Sequence, residues 1–145
     1  MDTAQIDNTI TAAGFLGAFP YDELPTKPNK DSFSLVINTD SSHEPGDHWL
    51  VLLCKNYQYY FFDSFGRHYN DETFPIAFST TIKNYVQSKR TKFNERILQQ
   101  LTSNTCGYHC VYFIEKMADN SFKDILTDFG GNLKLNDKIV TDYVN

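Results

Sequence analysis

A cysteine at the start of a buried helix is placed for nucleophilic chemistry, and Cys106 has that placement. The segment Thr102-Ser103-Asn104-Thr105 is small and polar, and it runs into Cys106, Cys110, Val111, Phe113, Ile114 and Met117 at helical spacing. Ser, Asn and Thr ahead of such a series are N-cap types, so a helix is expected over about 106–118 with Cys106 in its first turn. A thiol there feels unsatisfied N–H groups and the positive end of the helix dipole, and both favour the thiolate. The backbone N–H groups of Cys106 and Gly107 would also face a developing oxyanion. Cysteine on an apolar helix face is more often packing alone, so the assignment depends on partners elsewhere in the chain.

Two such partners come from one hairpin. The runs His48-Trp49-Leu50-Val51-Leu52-Leu53-Cys54 and Tyr57-Gln58-Tyr59-Tyr60-Phe61-Phe62-Asp63 are separated by Lys55-Asn56. A two-residue loop puts Cys54 opposite Tyr57 and, at the far end, His48 opposite Asp63. Directly opposed residues have Cβ atoms about 4.5–5.5 Å apart, within hydrogen-bonding reach for an imidazole and a carboxylate. The carboxylate would fix the ring tautomer and stabilise the imidazolium. Each residue alone has a plainer role, His48 opening a strand and Asp63 leading a turn before Ser64 and Gly66. Nucleophile, base and orienting acid then stand in the order His48, Asp63, Cys106, and Gln99 or Gln100 ahead of the cysteine offers a side-chain amide to the same oxyanion.

The elements that must hold these residues read as α+β. A short helix is expected within 2–13, closed by Gly14, and an irregular extended segment from Phe15 to Lys30 carrying Pro20, Pro25 and Pro28. A strand follows over Ser32–Asn38, then a polar loop, the hairpin, a helix within Thr73–Lys89 and a short strand over Phe93–Gln99. After the helix at Cys106, short helices are expected near 122–129 and 137–144, divided by Gly130-Gly131. That order predicts a mixed sheet flanked by helices in a single domain, 1–145.

Composition narrows the function classes. The chain has 12 Phe and 9 Tyr and a net charge of −5, with a pI near 5.2, which disfavours nucleic acid or an anionic membrane as partner. No apolar run approaches the ~20 residues of a membrane span. Met1–Gln5 has none of the features of a signal peptide, and three cysteines make no disulfide framework. A reducing intracellular compartment (cytoplasm, nucleus or virion) is therefore expected, with the protein a monomer that takes no cofactor or metal.

Taken in order, these segments resemble the adenain-like cysteine proteases. That group holds the adenovirus maturation protease and relatives in viruses and virus-like DNA transposons, and is distantly similar to the proteases of SUMO and other ubiquitin-like proteins. The resemblance covers Phe15-Leu16-Gly17, Val36-Ile37-Asn38-Thr39, His48-Trp49, Phe62-Asp63-Ser64-Phe65-Gly66, and Gln99 seven residues before Cys106-Gly107. It implies a papain-like fold with His48 as general base, Asp63 as orienting acid, Cys106 as nucleophile and a glutamine as oxyanion donor. The adenoviral spacing, with Ser103 three residues before the cysteine, selects Gln99; the SUMO-protease spacing selects Gln100. It also implies that the Trp49 ring packs beside the histidine, and that the enzyme cuts polypeptides after small residues, often glycine.

The activity so implied is a maturation protease acting on precursor structural proteins, with a deconjugase for a ubiquitin-like protein as the alternative. The adenovirus enzyme's disulfide-linked activating peptide and DNA are not expected here. Cys54, Cys106 and Cys110 all fall in predicted core elements, and the chain is acidic. Two further readings belong to other classes. One is a catalytically inactive peptide-binding relative, although the triad is complete. The other is a zinc module using His43, His48, Cys106, His109 and Cys110, which lacks the paired ligand spacing of such sites. Cys110, one turn behind Cys106, reads as packing, with Tyr108 and His109 on the helix flanks.

Overall fold

The computed structural model describes residues 1–145. Its centre is a five-stranded mixed sheet in the order β1-β2-β3-β4-β5, formed by Phe15–Pro20, Phe33–Asn38, Trp49–Lys55, Gln58–Phe62 and Thr91–Phe93. The outer pairs β1–β2 and β4–β5 are parallel, and the inner pairs are antiparallel. The helices are α1 Thr3–Thr9, α2 Ile76–Tyr85, α3 Cys106–Met117, α4 Phe122–Leu126 and α5 Leu133–Val144. None is long and apolar enough to cross a membrane.

The sheet divides the core in two. Val36, Val51, Leu53 and Phe62 point to the face covered by α3 and its neighbours, where Phe113 stacks on Phe62 at 4.4 Å. Leu35, Ile37, Leu50, Leu52 and Phe61 point to the other face, filled by Phe74, Phe78 and Ile82. Because β3 is buried on both faces, its sequence is a continuous apolar run rather than an alternating one. α3 is buried nearly all round, packed between β3 and α5. Lys55 Nζ donates to the Met117 carbonyl at 2.6 Å, so a cation closes the negative end of the helix that Cys106 opens.

The expected hairpin forms with a different loop. Asn56 and Tyr57, at φ 51° and 68°, make the turn, and Lys55 pairs with Gln58. The aromatic β preference of Tyr57 favours a strand, but its ring is exposed and its N–H donates to Asp31 O at 2.9 Å. The pairing is therefore displaced by two residues from the predicted one, Cys54 facing Tyr59. A shift of two keeps side-chain parity, so His48 and Asp63 remain on one face as diagonal rather than direct neighbours.

Other boundaries differ for local reasons. α1 starts in a capping box between Asp2 and Gln5 and ends by Thr9, so Gly14 serves the turn into β1 instead of closing the helix. Phe15–Pro20, expected to be irregular, pairs with β2, and Pro20 is tolerated at the end of this edge strand. The strand expected over Phe93–Gln99 lies earlier, at Thr91–Phe93, and residues 94–99 instead wrap the turn that follows β4.

Candidate active site

His48 immediately precedes β3 and Asp63 immediately follows β4, so antiparallel pairing brings both to the same end of the sheet. The first turn of α3 reaches that end as well. His48 Nε2 and Asp63 Oδ1 are 2.6 Å apart, with Asp63 fully buried. Since the carboxylate accepts, Nε2 carries a proton, which leaves Nδ1 as the ring nitrogen available to Cys106, whose charge favours the imidazolium. The Trp49 N–H also donates to Cys106 Sγ at 3.5 Å. Phe65 stacks on the imidazole at 4.8 Å and holds its plane.

The site's electrostatics oppose its burial. Burial pulls His48 down, but hydrogen bonds with Asp63 and Cys106 and their charges overturn it, and its pKa is raised to about 9. Burial pushes the Cys106 thiol up, and the His48 hydrogen bond and charge, with the N–H groups of Trp49 and Gly107, outweigh this and lower it. Asp63 is likewise pushed up by burial and brought below the usual carboxylate range by His48 and Arg67. The directions agree on one state, thiolate beside imidazolium.

The predicted side-chain cap on α3 is not present. Thr105 is the N-cap residue, but its hydroxyl donates to Asp137 Oδ1 at 2.9 Å instead of receiving a first-turn N–H. This leaves the first-turn donors uncapped, where an anion would sit. Cys106 is 9% exposed and opens onto a cleft of about 550 Å³ whose lining includes His48, Trp49, Phe65, Arg67, Gln99 and Ser103.

Gln99 lines this cleft and Gln100 does not. The Gln99 amide is held at both ends, accepting from Ser64 Oγ at 2.5 Å and donating through Nε2 to Ser103 O at 3.0 Å. Its second N–H has no protein acceptor. Gln100 instead uses its backbone, donating to Asp137 Oδ2 at 3.4 Å. Gly66 makes the Gln99 position possible, because a Cβ there would stand 2.6 Å from the Arg96 carbonyl carbon where residues 94–99 cross the turn. Trp49 contributes its backbone N–H, while its ring N–H donates to Met1 O at 2.9 Å.

Asn94 and Arg67, beside the site, carried no distinct signal in the sequence. Asn94, 1% exposed, clamps the Asp63 backbone, its Oδ1 accepting from Asp63 N at 3.1 Å and its Nδ2 donating to Asp63 O at 2.6 Å. Arg67 Nε donates to Asp63 Oδ2 at 2.7 Å. His109, expected on a helix flank, is fully buried and bonded to Asp137 at 2.9 Å. Burial pulls its pKa down despite that carboxylate. Cys110 is buried, and burial pushes its thiol well up, so it is inert packing. The five residues of the zinc reading do not converge: His43 is exposed on its loop, His109 is taken by Asp137, and no three His, Cys, Asp or Glu side chains form a group.

Two crystal structures of the ASFV pS273R protease, one with selenomethionine, align with this chain at a TM-score of 0.48 each and 17% and 16% identity. The alignments cover 76% of this chain and 43% and 42% of theirs, so the chain spans less than half the length of either match. No family model and no curated protein matches the sequence.

Proposed function

We propose that the chain is a cysteine endopeptidase of the adenain-like class, in which Cys106 attacks, His48 transfers the proton and Asp63 orients His48. The observation that carries this reading is the buried 2.6 Å His48–Asp63 pair at the sheet end where the neighbouring Trp49 N–H reaches, at 3.5 Å, a thiol on an uncapped helix N-terminus. The Cys106 thiolate adds to the scissile carbonyl carbon, and the oxyanion takes the N–H groups of Cys106 and Gly107 and the free N–H of Gln99. His48 gives its proton to the leaving amine. It then draws one from the water that hydrolyses the thioester.

The substrate is a polypeptide cut after a small residue, a precursor structural protein of a virus or virus-like element. The enzyme acts as a monomer in a reducing compartment. Its three unpaired, buried cysteines fit such a setting.

The test is cleavage of fluorogenic peptides with glycine before the scissile bond. Cys106→Ala is expected to abolish turnover, and Cys54→Ala and Cys110→Ala to keep most of it. Full activity in Cys106→Ala would overturn the assignment. Tight peptide binding with no turnover by the parent chain would favour an inactive binding module.

A further inference from the structure

Asp63 has two oxygens with different duties. Oδ1 receives His48 Nε2 and the Phe65 N–H, at 2.6 and 3.2 Å. Oδ2 receives only Arg67, through Nε at 2.7 Å and the backbone N–H at 3.3 Å. The guanidinium is itself fixed from outside. It lies 4.0 Å over the Phe74 ring and 5.7 Å from Phe65, and Nη1 donates to Thr73 Oγ1 at 3.2 Å. Its side chain is 24% exposed at the cleft, so the Arg67–Asp63 pair is poorly screened. A surface i,i+4 ion pair contributes little, whereas this one ends on a fully buried carboxylate that already serves a histidine.

We infer that Arg67 is a positioning residue of the active site: it clamps Asp63 Oδ2 so that Oδ1 stays on His48, and its charge sets the pH range over which the Cys106–His48 ion pair exists. A buried carboxylate beside an imidazolium holds that proton too firmly if its whole charge is uncompensated. Arg67 takes up part of that charge and leaves the proton transferable. The other charged or titratable groups around His48 are Cys106 on α3, and behind it Cys110 and His109 with Asp137 of α5. Asp2 and Asp47 stand at the cleft rim, and Asp71 lies near Arg67. Arg67 is the one cation among these that bonds directly to Asp63 besides His48.

The inference rests on the protease reading for the pairing of Cys106 with His48, so its test reads that pair without a substrate. The rate of iodoacetamide alkylation at Cys106, followed by peptide mass mapping across pH, is measured for the parent, Arg67→Met and Arg67→Lys. The parent is expected to show thiolate reactivity below the ordinary thiol range and a second inflection at about 9, where His48 loses its proton. Removing the cation in Arg67→Met moves the upper inflection up by roughly one pH unit. The lower one moves by less, since Asp63, which Arg67 holds, bonds to the imidazole and not to the thiol. Arg67→Lys keeps the charge and leaves the upper inflection at the parent's position.

Unmoved inflections in Arg67→Met overturn the inference, whether the variant merely melts earlier or raises KM for peptide. Equal displacement in Met and Lys overturns it too. If Arg67→Met does not fold, Arg67→Lys decides, and a displaced upper inflection there counts against the role of the charge. A parent Cys106 that alkylates only in the ordinary thiol range defeats the protease reading and this inference together. A normal parent with an insensitive Arg67→Met defeats this inference alone.

Discussion

His48 works between two partners of opposite demand, and Asp63 decides the balance. With Nε2 donating to Asp63, the neutral ring has one tautomer available and Nδ1 is left for Cys106. Asp63→Asn keeps the size of the side chain and removes the charge. Turnover is expected to fall on the order of 10–10³-fold, about 1.4–4 kcal/mol of transition-state stabilisation. The loss is smaller than for a serine enzyme because the thiolate also has the helix N-terminus. Without the carboxylate the His48 pKa falls, so the alkaline limit of the rate moves down, opposite to the displacement expected for Arg67→Met. An unchanged rate and pH profile would reduce the site to a Cys106–His48 dyad. His48, Asp63 and Cys106 were legible because each residue type is chemically committed and sits at the edge of a strong periodic segment. Arg67 and Asn94 were not. Each resembles an ordinary polar loop residue until the turn after β4 closes around Asp63.

At the scale of elements, the site depends on two segments that carry no regular structure of their own. Residues 94–99 wrap the Asp63–Gly66 turn, with the Leu98 and Gln99 N–H groups both donating to Ser64 O, at 2.8 and 3.2 Å. Asn94 fastens this segment to Asp63. Asn94→Ala strands a buried N–H and a buried C=O, and is expected to cost about 2–4 kcal/mol in urea unfolding together with a loss of turnover. A variant of parental stability and rate would mean that water replaces the amide. The sequence suggested a strand here because Ile97 and Leu98 are apolar, but only Leu98 enters the core and Ile97 is exposed. β1 was hidden for a related reason: its Gly17 and Pro20, with Pro25 and Pro28 beyond it, mark irregular chain, and its pairing with β2 is a long-range choice that no local pattern encodes. The α3 boundaries were readable from its unbroken apolar face. The diversion of Thr105 to Asp137 was not, because it depends on α5, which lies far along the chain.

At the scale of the molecule, a sheet buried on both faces ends in an ion pair whose charges help hold the fold only within a pH window. His48 is raised in the folded state, so its contribution is complete below the unfolded value near 6.5 and is lost as pH rises through about 9. Asp63 is lowered, so its contribution is present above the unfolded value near 3.9 and is lost as pH falls through its depressed folded pKa. The difference in thermal midpoint between the parent and His48→Gln is therefore expected to be largest between about pH 4 and 6.5 and to shrink on either side. A difference constant with pH would mean that His48 acts by packing alone. The most direct test of the account is the intact mass of the protein after exposure to a peptidyl vinyl sulfone ending in glycine. A single adduct on Cys106 that is lost in His48→Gln is expected, with Cys54 and Cys110 unmodified. No adduct, or one that forms on Cys106 equally well without His48, would contradict it.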